Sequence, residues 1–189
     1  MLAGGRSSRF GRDKLVEPYR GMPLLHHAVL HLGEVCDEVI VVVAPGAPEP
    51  DLPFGLAARV VRDATEGEGP LAGAYAGLVA ARTDVALLGG GDMPTMQLAV
   101  LLELLGVLVE ARVDAAAIHD GERVRPLPIA LRTAAAVEAA HALLHAGAHR
   151  LGDLLDALRL AAIDEPTWRA LDPEGVTLHD IDRPEDLDG

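Results

Sequence analysis

The sequence predicts an α/β protein, a three-layer α/β/α sandwich whose central sheet is mostly parallel. Short β-branched runs alternate with longer alanine- and leucine-rich stretches of helical period, which is the pattern of consecutive βα units. The chain has 189 residues, half of them hydrophobic, and this size fits one hydrophobic core. We therefore expect a single domain over residues 1–189.

The individual elements follow from the same alternation. Strands are predicted at residues 39–44, 58–62, 85–88, 115–119, 127–131, 161–164 and 176–181. Helices are predicted at residues 24–32, 70–81, 96–111, 133–146 and 151–158. Pro70 suits the first position of its helix, and Thr133 suits an N-cap. Only Met1, Leu2 and Ala3 precede the first glycine, so the first strand is either truncated or lacks residues of its natural start, and the sequence leaves both open.

The composition disfavours several classes of function. A net charge of -13 argues against a nucleic-acid partner, because binding a polyanion needs a basic face. The apolar runs are too short to cross a bilayer and no signal sequence is recognisable, so we expect a cytoplasmic protein without membrane contact. The single cysteine, Cys36, cannot form an internal disulfide and is expected to pack as a small hydrophobe.

Residues 2–14 carry the most chemical information, with the sequence Leu-Ala-Gly-Gly-Arg-Ser-Ser-Arg-Phe-Gly-Arg-Asp-Lys. Gly4 and Gly5 let the backbone turn sharply at a strand end and point amide N–H groups at phosphate oxygens. Positive charge comes from Arg6, Arg9, Arg12 and Lys14, the last being the only lysine among 16 basic side chains. The segment lacks the Gly-Lys-Ser/Thr of a Walker A loop and the Gly-x-Gly-x-x-Gly of dinucleotide folds. We predict a phosphate-binding loop of another type, with a plain surface loop as the alternative.

Two aspartates are expected at the carboxyl ends of strands, where open α/β sheets bind ligands. Asp92 follows the strand at 85–88 and is predicted to hold Mg²⁺ against a triphosphate, with a helix cap as the alternative. Asp63 follows the strand at 58–62 and is a candidate nucleotide contact or a turn residue. The run Gly69-Pro70-Leu71-Ala72-Gly73 is predicted to start a helix whose free N–H groups and small side chains could receive a flat nucleotide base. The alternative is an ordinary helix start without a ligand.

The segment at 2–14 resembles the signature of nucleotidyltransferases that couple a nucleoside triphosphate to a phosphorylated acceptor. Further motifs extend the resemblance along nearly the whole chain: Asp63, Gly69 to Gly73, Gly-Asp-Met-Pro at 91–94, His-Asp-Gly-Glu-Arg at 119–123, and Asp-Ile-Asp-Arg-Pro-Glu-Asp-Leu at 180–187. Within that superfamily the chain most resembles the molybdenum cofactor guanylyltransferases, because of its Gly-Pro-Leu-Ala-Gly and His-Asp-Gly-Glu runs.

The resemblance implies a Rossmann-like nucleotidyltransferase fold and an enzyme that transfers GMP from GTP to molybdopterin, releasing pyrophosphate. It implies Mg²⁺ as cofactor, held by Asp92, and catalytic roles for Lys14, Arg9 and Asp92. The implied nucleotide contacts are Leu2, Ala3, Gly4, Gly5, Arg6, Lys14, Asp63, Gly69, Pro70, Leu71, Gly73 and Asp92. The implied acceptor contacts are Arg123, Arg125, Pro126, Asp180 and Asp182. A molybdoenzyme or cofactor-insertion protein is a candidate partner beside the two substrates.

The chain departs from the family pattern near its end, where Asp180, Asp182 and Arg183 stand in place of the usual asparagines and threonine. These changes bear on the acceptor pocket and on contacts to the ribose more than on the catalytic residues. The sequence also leaves three alternative functions open. One is cytidylyl transfer to molybdopterin, and a second is guanylyl transfer to a phospholactate. The third is a non-catalytic nucleotide-binding domain that delivers cofactor.

His141, His145 and His149 have helical spacing that would align their imidazoles. Gly147 interrupts the helix, and no cysteine or nearby carboxylate completes a zinc set. We therefore interpret these histidines as a solvated helix face.

Overall fold

The computed structural model of the protein describes residues 1–3, 13–63 and 69–188. The predicted phosphate-loop residues Gly4, Gly5, Arg6 and Arg9 lie outside the described residues. The strands of the described part are β1 (Pro18–Tyr19), β2 (Met22–Pro23), β3 (Val39–Val43), β4 (Ala58–Arg62), β5 (Val85–Leu88), β6 (Ala115–His119), β7 (Val124–Arg132) and β8 (Leu160–Ile163). Its α-helices are α1 (Leu24–Gly33), α2 (Pro70–Ala80), α3 (Leu98–Glu110), α4 (Thr133–His145), α5 (Leu151–Ala157) and α6 (Glu165–Leu171).

Residues 1–3 connect the two larger groups of strands into one sheet. Leu2 forms parallel bridges with Val42 of β3 and with Gly90, just beyond β5. The Leu2 amide donates to the Gly89 carbonyl over 2.9 Å, and the Ala3 amide donates to the Val42 carbonyl over 2.8 Å. The sheet order is therefore β4-β3-(1–3)-β5-β7-β6-β8, with the short N-terminal segment at its centre.

The sheet is mostly parallel, as predicted, and β7 is the strand that runs against the others. It pairs antiparallel with β5 and with β6, while β3 pairs parallel with β4 and β6 parallel with β8. The reversal follows from the short turn between β6 and β7, where Gly121 has a φ of 97° and the Asp120 carboxylate accepts the amide N–H groups of residues 122 and 123.

The helices cover both faces of the sheet, which confirms the three-layer architecture. On β6, Ala116 and Ile118 pack with α3 and α6, whereas Ala115 and Ala117 pack with α2, α4 and α5. This alternation places one apolar layer on each side of the sheet. None of the helices in the three described ranges combines the length and apolar character that a bilayer crossing requires.

The structure corrects several element predictions. The strand predicted at 176–181 is instead a short 3-10 helix, Val176–Leu178, because the Asp172 carboxylate accepts the amide N–H groups of Val176 and Thr177 and holds them in a turn. Thr133 is the first residue of α4 and Arg132 its N-cap, so Thr133 does not cap the helix. Its hydroxyl is buried with no hydrogen-bond partner among the described residues.

Two further differences concern a strand end and a helix that the sequence analysis missed. Asp164, predicted to end a strand, caps α6 by accepting the Thr167 amide over 3.1 Å, and these hydrogen bonds lower the pKa of Asp164. The buried Trp168 anchors α6 in the core and donates its indole N–H to the His119 carbonyl over 3.0 Å. Strand β7 begins three residues earlier than predicted, through Pro126 and Pro128, where its pairing with β6 is irregular.

Candidate active site

Lys14 and Asp92 meet at the carboxyl edge of the sheet. Lys14 begins a 3-10 helix, Lys14–Val16, whose N-cap Asp13 accepts the Leu15 amide over 3.0 Å. The Lys14 Nζ donates to Asp92 Oδ2 over 2.7 Å across 78 residues of sequence. The Lys14 side chain is 14% exposed and the Asp92 side chain is 30% exposed, so the pair is largely shielded from solvent but accessible to a ligand.

The C-terminal segment closes over this pair. The Lys14 Nζ also donates to the Ile181 carbonyl over 2.7 Å and to Asp182 Oδ1 over 3.3 Å. The Ile181 amide in turn donates to the Asp92 carbonyl over 2.9 Å. Because an ammonium has three N–H donors, these three acceptors account for all of them. An anionic ligand must therefore take the place of at least one of these acceptors to bind the ammonium directly.

Arg125 extends the cluster toward the turn between β6 and β7. Its guanidinium lies 3.8 Å from an Asp180 oxygen and 3.5 Å from an Asp120 oxygen. The Arg125 Nε is buried and has no hydrogen-bond partner among the described residues. A buried donor without a partner is costly, so this nitrogen is a candidate contact for a ligand. The arrangement brings Arg125, Asp180 and Asp182 to the same site as Lys14 and Asp92.

The carboxylates of this cluster have opposite electrostatic environments. Loss of solvent, together with the negative charge of Asp92, raises the pKa of Asp180 to about 6. The backbone N–H groups of Arg123 and Glu122 lower the pKa of Asp120 and keep it ionised. The cluster thus concentrates negative charge around Lys14 and Arg125.

The other predicted acceptor residues are more peripheral. Arg123 is exposed in the turn before β7, and its backbone N–H donates to Asp120 Oδ1 over 2.9 Å. Pro126 is half-buried within β7. Arg183 is exposed and lies 3.3 Å from Glu185, so this departure from the family pattern forms a surface ion pair. Asp182, another residue that differs from the family pattern, accepts a hydrogen bond from Lys14.

Leu2, Asp63 and Gly73, three of the predicted nucleotide contacts, lie together at the edge of the sheet. A Cβ atom added to Gly73 would lie 3.2 Å from the Leu2 Cδ2 and 3.8 Å from the Asp63 Oδ2. The Asp63 amide donates to the Val43 carbonyl over 2.9 Å, which fixes its position at the end of β4. The structure therefore brings the first segment, the end of β4 and the start of α2 to one place.

Gly69, Pro70 and Leu71 enter α2 in a constrained turn. Gly69 has a φ of 82°, and a Cβ atom there would come within 2.7 Å of the His149 carbonyl oxygen. Pro70 occupies the first turn of α2, as predicted, and is exposed. The Leu71 side chain is fully buried, and its amide donates to the His149 carbonyl over 3.3 Å. The Leu71 side chain therefore packs in the core, which leaves the backbone of this turn and the exposed Pro70 ring to face a base.

The sequence analysis missed the carbonyl groups of Ile181 and His149 as parts of the site. Each acts through its backbone oxygen, which every residue carries, so no side-chain pattern could have indicated them. The Asp13 cap had a readable signal, because aspartate is a common N-cap residue.

The donor chemistry of Asp92 suits a hard divalent cation. Lys14 bonds to Oδ2, while Oδ1 lies over Gly90, where a Cβ atom would come within 2.5 Å of it. In the described part of the chain no three His, Cys, Asp or Glu side chains form a metal-binding group. Mg²⁺ needs only one or two protein carboxylates when phosphate oxygens supply further ligands, so Asp92 fits this requirement.

The chain is similar in sequence and in fold to proteins that are already known. The family described as MobA-like NTP transferase domain matches residues 1–162. A probable molybdenum cofactor guanylyltransferase of Chloroflexus aggregans is 34% identical over 192 residues, which cover 99% of this chain and 89% of that protein. Among solved structures, molybdopterin-guanine dinucleotide biosynthesis protein A of Archaeoglobus fulgidus aligns with a TM-score of 0.77 and 21% identity, covering 99% of this chain and 93% of that one. A 2-C-methyl-D-erythritol 4-phosphate cytidylyltransferase of Thermus thermophilus aligns with a TM-score of 0.71 and 21% identity, covering 98% and 93%.

Proposed function

The chain belongs to the family of MobA-like NTP transferase domains, and from this premise we propose that it transfers GMP from GTP to molybdopterin and releases pyrophosphate. The acceptor is molybdopterin, with or without bound molybdenum, and its terminal phosphate attacks the α-phosphorus of GTP. The bond from the α-phosphorus to the bridging oxygen breaks, and pyrophosphate leaves. The product is the guanine dinucleotide form of the cofactor.

The Lys14–Asp92 pair at the carboxyl edge of the sheet is the observation that carries this proposal. The acceptor phosphate is already an anion and needs no strong general base. The protein must instead bring two polyanions together and neutralise their repulsion. Lys14 supplies a positive charge where strand ends converge, and Arg9, outside the described residues, is the second proposed cation.

Asp92 is the residue we propose for binding Mg²⁺, as one carboxylate ligand beside the triphosphate oxygens. When bound there, Mg²⁺ neutralises phosphate charge and holds the triphosphate in one orientation. The Gly91 amide donates to the Leu2 carbonyl over 2.8 Å and anchors the backbone next to Asp92, and the Lys14 ammonium orients the carboxylate itself.

Guanine recognition is assigned to the backbone around Gly69 to Gly73 together with residues 2–4. The curated relative named as a guanylyltransferase supports guanine over other bases. The fold alone does not decide the base, since the same architecture occurs in a protein named as a cytidylyltransferase. A buried polar group left unpaired by the wrong base costs about 1–3 kcal/mol, so one mismatch suffices for about tenfold discrimination or more.

The acceptor side is assigned to Arg125, whose terminal nitrogens face Asp120 and Asp180 while its buried Nε has no partner among the described residues. A phosphate or pterin acceptor atom would satisfy this nitrogen.

We propose a cytoplasmic site of action, where GTP and the pterin substrate meet, and a molybdoenzyme or insertion protein as the recipient of the product.

Turnover with GTP, CTP and ATP in the presence of molybdopterin, its molybdenum form or a phospholactate tests the proposal, with released pyrophosphate as the measurement. Turnover with GTP well above CTP and ATP is the expected result. Preference for CTP would establish the cytidylyl alternative, and turnover only with a phospholactate would establish the other acceptor. Nucleotide binding without release of pyrophosphate from the nucleotide, whichever acceptor is supplied, would instead identify a delivery domain.

A further inference from the structure

His141 and His145 form a close pair on the last two turns of α4. Their Nε2 atoms lie 3.1 Å apart, and their ring centroids lie 4.4 Å apart at an interplanar angle of 71°. Both residues are exposed. The pair lies outside the Lys14–Asp92 site and has no part in the proposed transfer.

The distance between the two nitrogens matches the bite of a metal chelate. With metal–nitrogen bonds of about 2.0–2.1 Å, a right angle between the two bonds at the metal places the nitrogens about 2.9 Å apart. At the tetrahedral angle the separation is about 3.3 Å. The observed 3.1 Å lies between these limits, so both nitrogens can reach one ion with little side-chain movement. Histidines at i and i+4 on a helix are also an arrangement that binds zinc in proteins.

The surroundings of the pair favour a cation. The Tyr75 ring from α2 lies 5.9 Å from the His141 ring and restricts its orientation. His145 is the last residue of α4, where the helix dipole stabilises positive charge. The chain as a whole carries a net charge of -13, which attracts divalent cations.

A second histidine pair with the same spacing provides an internal comparison. His27 and His31 on α1 are also four residues apart, but the His27 Nε2 is bonded to the Tyr19 carbonyl over 2.7 Å. The same spacing therefore gives a chelating geometry in α4 and a structural hydrogen bond in α1. His149 lies beyond Gly147, which has a φ of 82° and ends the helical path.

From these observations we propose that His141 and His145 chelate one divalent transition-metal ion, of the class of Ni²⁺, Cu²⁺ or Zn²⁺. In the structure one Nε2 donates a hydrogen bond to the other, so the ion replaces this bond and both rings then bind through unprotonated Nε2 with the proton on Nδ1. No third protein ligand joins the pair within the described ranges, so water completes the coordination. Imidazole nitrogen selects these ions over Mg²⁺, which separates this site from the carboxylate at Asp92.

Isothermal titration of the full chain with NiCl₂, in excess Mg²⁺ to occupy carboxylate and phosphate sites, tests the proposal. The expected result is one Ni²⁺ per chain. His141→Gln and His145→Gln should each weaken binding by about tenfold or more, because loss of one ligand removes the effective-concentration gain of the second. His31→Gln is the matched control and should leave binding unchanged.

Electron paramagnetic resonance of the Cu²⁺ complex gives an independent readout, since it reports the number of bound nitrogens. Two coupled nitrogens in the parent chain and one in each variant of the pair would support the chelate. Unchanged Ni²⁺ affinity in His141→Gln or His145→Gln would overturn the proposal. Equal weakening in His31→Gln would also overturn it, because binding would then be spread over surface histidines.

Discussion

Replacing Lys14 by alanine should lower both turnover and stability, and the two effects can be separated. The Lys14 ammonium makes two bonds of 2.7 Å, to Asp92 and to the Ile181 carbonyl. A hydrogen bond to a charged group contributes about 1.5–3 kcal/mol when shielded. Because Asp92 keeps 30% of its exposure, water compensates part of the loss, and we expect about 1–3 kcal/mol in the free energy of unfolding.

A lysine on a surface loop without such hydrogen bonds would cause no comparable loss of stability when replaced by alanine. A loss of 1 kcal/mol lowers the Tm by about 2–4 °C in a chain of this size, which thermal unfolding detects. Turnover should fall more than tenfold, equivalent to about 1.4 kcal/mol of transition-state stabilisation, because the variant loses the ammonium proposed to neutralise phosphate charge. Pyrophosphate release under saturating GTP measures this loss.

Arg59→Ala is the matched control, because Arg59 also bonds to one carboxylate and one carbonyl, Glu38 and Ala80, each over 2.7 Å. It lies on β4 away from the pair, so it should lower the Tm without lowering turnover. Lys14→Met retains the apolar stem and should lose turnover as Lys14→Ala does. Parental turnover in a folded Lys14→Met protein would refute the assignment, and Arg9 and Arg12 would become the cations to examine.

Three further predictions concern other parts of the molecule. Asp92→Asn should abolish turnover and remove the Mg²⁺ dependence of nucleotide binding, and equal Mg²⁺ dependence in parent and variant would exclude a metal role. Gly69→Ala should lower the Tm and weaken nucleotide binding, because its Cβ would meet a carbonyl at 2.7 Å, whereas Gly106→Ala, where the Cβ meets nothing within 4 Å, should raise stability by up to about 1 kcal/mol. Arg159 lowers the pKa of Asp114, so this pair stabilises the fold above the ordinary carboxyl pKa and loses its effect as pH falls through the lowered value. Asp114→Asn should therefore reduce the urea midpoint at pH 7 and leave it nearly unchanged at strongly acid pH, and a loss that is equal at both would contradict the pair's role.

The sequence by itself determined most of the local elements, and it predicted the chemical type of the site. The strands at 58–62, 85–88 and 115–119 have the predicted bounds, because apolar runs end at residues that disfavour strands. Glycines, a lysine and aspartates at strand ends indicated a phosphate site, since these residue types have few other uses in that arrangement. The prediction of a strand at 176–181 was wrong, because the Asp172 carboxylate accepts the amide N–H groups of Val176 and Thr177 and holds them in a turn.

Only the tertiary structure decided which distant groups meet. Lys14 reaches Asp92 across 78 residues and the Ile181 carbonyl across 167, and no local pattern encodes a contact of that separation. The central position of residues 1–3 in the sheet likewise depends on backbone hydrogen bonds to β3 and to the residues after β5. Such bonds do not depend on side-chain identity, so no sequence pattern indicates them. The same i,i+4 spacing gave a pair of imidazoles bonded to each other in α4 and a histidine bonded to the Tyr19 carbonyl in α1, because a backbone acceptor outside the helix lies within reach of His27.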